Sequence, residues 1–141
     1  MGGAYAPFLT GANGCGSLLP TVFVQVWGNA GRASCSSAET EVAVPLTTST
    51  AGSLLVKLGH ATQTPAPGGT NSITFTVMKN GAATALSCTV TGAQTGCTDL
   101  VNSVDYATGD TISIRITNNQ PGVPDPDSDL RAGISFNLSV P

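Results

Sequence analysis

The sequence predicts an all-β fold, an antiparallel sandwich or barrel of about eight strands. Three observations carry this. Apolar and polar residues alternate with period two in many short segments separated by turn residues. The dipeptide Asn80-Gly81 falls between two such segments, "SITFTVMK" and "AATALSCTV", and both its residues tolerate the positive φ that a two-residue type I′ hairpin turn demands. Almost nothing between the alternating segments has the apolar stripe of an amphipathic helix.

Taken in order, the chain opens on "MGGAYAPFLTGANGCGSLLP". Its glycines, with Phe8 and Leu9, predict an extended arm over residues 1–18 that gains order on a neighbour, with a partly ordered terminus as the alternative, ahead of a single sandwich domain at 19–141. Val22, Val24 and Val26 share one face of a first strand, and Phe23 and Trp27 share the other. Apolar residues on both faces need cover on two sides, which a subunit interface or the arm supplies. Ser36 and Glu39 fit a Ser-x-x-Glu capping box, but no helical stripe follows, so at most one turn is expected. Val42, Val44 and Leu46 form a second series, and Pro45, which has no N–H for a ladder, puts it at an edge. Leu54, Val56 and Leu58 form a third. The Asn80-Gly81 hairpin joins Ile73, Phe75 and Val77 to Leu86, Cys88 and Val90. Residues 100–106 make a weaker strand with ambiguous facing. "ATGD" at 107–110 turns the chain into Ile112, Ile114 and Ile116, opposite Thr111, Ser113, Arg115 and Thr117. Ala132, Ile134, Phe136, Leu138 and Val140 close the domain. The long connections at 28–39, 61–71 and 118–130 are where a sandwich carries recognition.

At 141 residues the chain is long enough to bury one real core. Charged residues are 9% of the chain, against about 25% in an average domain, so the surface is mainly hydroxyls, amides and backbone. A net charge of -3 with five Lys and Arg provides no basic field for phosphates, which argues against a nucleic-acid partner. No apolar run approaches the roughly 20 residues of a membrane span, and the start lacks the charged and apolar regions of an export signal.

The four cysteines allow three pairings. Sequence proximity favours Cys88 with Cys97 and leaves Cys15 with Cys35; four buried free thiols are the alternative. Without a CxxC spacing, and with one histidine far from every cysteine, zinc is not expected.

Catalytic chemistry is thinly provided for, and the protein is not expected to be an enzyme. A Ser-His-Asp arrangement needs His60, and no GxSxG elbow accompanies it. Carboxylate pairs for glycoside chemistry can be drawn from Glu39 and Glu41, sharing one side of a strand, or from Asp99, Asp105 and Asp110, but solvated acids are the simpler reading. Asp125, Asp127 and Asp129 alternate in "DPDSD", offering three hard oxygens to calcium, although acids that keep an exposed loop soluble are the simpler reading. An EF-hand is excluded, since Leu130 stands at the required Gly and Phe136 at the bidentate Glu. No other cofactor is implied. Glycan binding has few aromatic platforms to use, namely Trp27, Tyr5 and Tyr106.

The segment "SITFTVMKNGAATALSCTVTG", the later "NSVDYATGDTISIRIT" and the closing "RAGISFNLSV" resemble the jelly-roll domains of bacteriophage virions and bacterial surface proteins, which are similar to the C1q and tumour-necrosis-factor sandwiches. The likeness covers residues 72–140 and includes no catalytic motif. It implies a jelly-roll-like subunit, often trimeric, that decorates or extends from a larger particle at a virion or extracellular surface. The expected role is a non-enzymatic capsid decoration or fibre-head protein. Phe8, Leu9, Phe23 and Trp27 are its candidate interface residues. A carbohydrate- or receptor-binding module of a secreted or surface protein is the alternative.

Overall fold

The computed structural model describes residues 4–16, 21–24, 26, 35–58, 72–92, 94–119 and 129–141, with backbone alone at 4–16, 22, 35 and 129–131. The alternating segments become β1 (Ala4–Gly16), β2 (Thr21–Val24), β3 (Cys35–Ser36), β4 (Val44–Pro45), β5 (Ser49–Leu58), β6 (Ser72–Lys79), β7 (Ala82–Thr91), β8 (Gly96–Tyr106), β9 (Thr111–Asn118) and β10 (Asp129–Val140). β3 and β4 have two residues each, so the longer strands among the described residues number eight, as the alternation predicts. The helical content of the described residues is one 3-10 turn, Glu39–Glu41.

Two antiparallel sheets form. One has the order β1-β10-β5-β8; the other runs β3-β2-β9-β6-β7, with β4 also pairing to β9. The chain crosses between sheets repeatedly, which gives the jelly-roll-like form of a sandwich and leaves few strands paired to their sequence neighbours. Side chains alternating off both inner faces fill the space between sheets. Leu54, Phe75, Leu86, Ile112, Ile114 and Phe136 are all at most 1% exposed there.

The Asn80-Gly81 hairpin forms as expected, with Lys79 opposite Ala82 and φ of 51° and 79° at the two turn residues. Residues 4–16 run along β10 of their own chain from Ala4 opposite Val140 to Gly16 opposite Asp129. The segment expected as an arm is therefore extended and paired within the sandwich.

Two expectations need correction. Ser113, placed on the face of β9 opposite its isoleucines, is fully buried; on β6, Thr76 and Met78 are buried as well as Phe75 and Val77. Part of the reason is the 3-10 turn: Ser113 Oγ donates to Glu39 Oε1 at 2.7 Å, so an acidic side chain lies over β9. The Ser36 pattern is followed by a single turn, as expected, and the Ser36 hydroxyl accepts from the Ala38 N–H and donates to Glu41. Finally, Glu39 and Glu41 lie in the 3-10 turn and not along a strand.

Candidate interaction surface

β8 is the strand whose facing the sequence left open, and its irregularity is informative. Leu54 of β5 pairs with Asp99 and Gly52 with Ser103, so Leu100, Val101 and Asn102 bulge out opposite Ser53, which takes a φ of 55°. Such bulges increase local twist and re-aim side chains. At the near end, β8 approaches β5 so closely that a Cβ on Gly96 would sit 2.5 Å from the Val56 carbonyl oxygen. Only glycine fits there.

The Asp99 carboxylate holds the bulge. Its Oδ1 accepts from the backbone N–H groups of Val101 and Asn102, both at 3.1 Å. Its Oδ2 accepts from Asn102 Nδ2 at 2.9 Å and from the Ser87 N–H of β7 at 3.1 Å. Burial pushes this carboxyl up, but the bonds from Asn102, Ser87 and Val101 outweigh it and bring the pKa down to about 2. The group is thus an ionised carboxylate, 8% exposed, closing an Asx-type turn and tying one sheet to the other. Beside it the Cys88–Cys97 disulfide also joins β7 to β8.

This support puts apolar surface into solvent. Val101 is 91% exposed and Leu100 65%; Leu55 of β5, at 44%, completes the exposed large apolar residues among those described. β8 pairs with β5 alone among the described strands, so the bulge stands on a sheet edge.

The far end of β8 is fastened as well. Tyr106 Oη donates to the Met78 carbonyl of β6 at 3.0 Å, and Lys79 Nζ donates to the Asp105 carbonyl at 2.7 Å. Lys79 also pairs with Asp110 at 3.1 Å and lies 5.8 Å from the centre of the Tyr106 ring. Burial, then the charges of Asp110 and Glu39, push the Tyr106 hydroxyl well above the usual phenol range. It stays a neutral donor. Tyr106→Phe is expected to lower stability by about 1 kcal/mol, because the buried Met78 carbonyl loses its bond from the hydroxyl; the shift in urea midpoint measures it.

Asp110 accepts from Asn80 Nδ2 at 2.7 Å and from the Ala107 N–H at 2.8 Å. The Asn80 bond first, then those from Ala107 and Lys79, bring its carboxyl down to about 2. The acids considered for a catalytic pair are therefore engaged one by one: Asp99 in the bulge, Asp105 with Thr50 Oγ1 at 2.6 Å, Asp110 with the hairpin tip, Glu39 with Ser113 and Glu41 with Ser36. Among the described residues no three His, Cys, Asp or Glu side chains are placed to hold a metal.

Of the other anticipated positions, Phe23 is half-buried and pairs with Arg115 and Ser36. Phe8 and Leu9 pair in register with Phe136 and Ser135, Cys15 with Leu130, and Cys35 with Val24; nothing is described of the side chains at 8, 9, 15 and 35. His60, Trp27, Asp125 and Asp127 lie outside the described residues, as does the side chain of Asp129. The bulge was the feature the sequence reading missed. Its signal is "DLVN", where two consecutive apolar residues break the alternation between an acid and an amide three positions apart.

Fold and site together define an antiparallel β-sandwich cross-linked between its sheets by a disulfide. No protein-family model matches the chain, and no curated protein matches it.

Proposed function

We propose that the protein is a non-enzymatic structural module that adds interface to a larger assembly, as a decoration or fibre-head subunit of a virus particle. The observation supporting this is the Leu100-Val101 pair, held in solvent by a buried carboxylate and fastened on either side to the opposite sheet. A mobile loop of these residues would lose conformational freedom on docking; a fixed one has already given it up. An apolar pair fixed on a sheet edge suits contact with another protein. The disulfide suits an oxidising environment, as at an extracellular or virion surface. The trimeric state and the capsid partner follow from the resemblance of residues 72–140.

The test is association by light scattering, together with co-sedimentation with particles of the parent virus. A homotrimer or particle-bound protein is expected, with a Leu100→Ser/Val101→Ser variant that keeps its fold and loses at least roughly tenfold in affinity, as for a docking contact worth about 1.4 kcal/mol. A strict monomer that binds no particle sinks the proposal.

One observation favours glycan recognition as a second reading. Thr21, Thr117, Thr74 and Thr89 sit opposite one another across four strands, with Asn119 donating to Ser72 and Thr74 nearby. This row of hydroxyls suits a neutral polar ligand. A glycan array with and without calcium tests it, and an array without hits removes it.

A further inference from the structure

We propose that Asn80 is a latent deamidation site, gated by its contacts with Asp110 and Thr111, and that its conversion releases the hairpin tip from the 107–110 turn. Asn80 and Gly81 are both exposed, and Gly81 places no side chain beside its own nitrogen. This is the setting in which the backbone nitrogen of the following residue reaches an asparagine carbonyl carbon most easily. The reaction balances with water as its only co-reactant. The Gly81 nitrogen loses its proton and bonds to Asn80 Cγ, the Cγ–Nδ2 bond breaks, and ammonia leaves with a proton. Water then opens the cyclic imide at either carbonyl, giving aspartate or isoaspartate.

Two contacts hold the side chain away from that path. Asn80 Oδ1 accepts from the Thr111 N–H at 2.8 Å, and Nδ2 donates to Asp110 Oδ1 at 2.7 Å. Both partners lie beyond the hairpin, so Cγ faces the neighbouring turn while these bonds persist. Ring closure requires them to open, and the rate follows the population of the opened tip. After conversion, a carboxylate stands where the amide donated to Asp110. The donor is gone, and two like charges face each other beside the Lys79–Asp110 ion pair. Isoaspartate also adds a backbone atom to a turn of only two residues.

The experiment is peptide mapping by mass spectrometry after incubation of the intact chain at mildly alkaline pH, which separates Asn80 from the chain's other Asn-Gly, Asn13-Gly14. Folded protein is expected to convert Asn80 at least roughly tenfold more slowly than urea-unfolded protein, and Asp110→Ala to recover most of that factor, since one charge-assisted hydrogen bond is removed. Equal rates at Asn80 in folded and unfolded chains overturn the gating. If Asp110→Ala does not fold, Asn80→Asp provides the second arm as a mimic of the product. It is expected to speed amide exchange at Asn80 and Thr111 at least roughly tenfold. Unchanged exchange there overturns the claim that conversion releases the tip.

Discussion

Replacing Cys88 and Cys97 together by alanine is expected to destabilise the protein by about 2–4 kcal/mol. The two cysteines are nine positions apart, and for a loop of that length the chain-entropy estimate is about 2.5–3 kcal/mol. The bond also joins β7 in one sheet to β8 in the other, so its loss removes a covalent tie between strands that share no ladder. Urea unfolding of the two proteins at equal pH measures the difference as a shift in midpoint. An unchanged midpoint shows that packing between the sheets holds β8 without the cross-link.

Asp99→Ala is expected to cost a similar amount, about 2–4 kcal/mol. Four donors lose their acceptor together, among them the Ser87 N–H on the facing sheet. Asp99→Asn keeps an acceptor oxygen and should lose less. The same carboxylate gives a pH dependence whose sign is fixed. Its folded pKa of about 2 lies below the ordinary 3.8, so the folded state binds its proton more weakly than the unfolded state. The stabilisation is fully present above the ordinary value and is lost as pH falls through about 2. Asp110 contributes in the same window, through the hairpin tip. Asp99→Asn should therefore show a shallower fall of urea midpoint with acid than wild type. Identical slopes contradict the assignment.

How legible this was in the sequence depends on which forces set each part. The core strands were readable because burial on one face imposes period two, and Leu54, Val56, Phe75, Val77, Leu86 and Ile114 are all buried as the alternation requires. The hairpin was readable because few residues tolerate its φ values, and Asn80-Gly81 is such a pair. The nine-residue spacing of Cys88 and Cys97 was a fair guide to their bond. Ser113 is buried against the pattern because alternation reports hydrophobicity, and a hydroxyl that donates to a carboxylate tolerates burial just as well. The partner, Glu39, comes from 74 positions earlier, beyond any local pattern. The bulge escaped for a related reason. Its cause is a set of bonds from backbone donors to one side chain, and Leu100 and Val101 considered alone look like strand core. The acids weighed for catalysis each accept hydrogen bonds, and for Asp99, Asp105, Asp110 and Glu39 the fold brings in partners distant in sequence.

The most direct measurement is native-state hydrogen exchange at the amides of Val101 and Asn102. If the Leu100-Val101 surface is pre-formed by the Asp99 carboxylate, both amides exchange slowly although Val101 is 91% exposed, and Asp99→Ala releases these two while Val104 and Tyr106 stay protected. Exchange of Val101 and Asn102 at the unstructured-chain rate in the wild-type protein, with the rest of β8 protected, would contradict it.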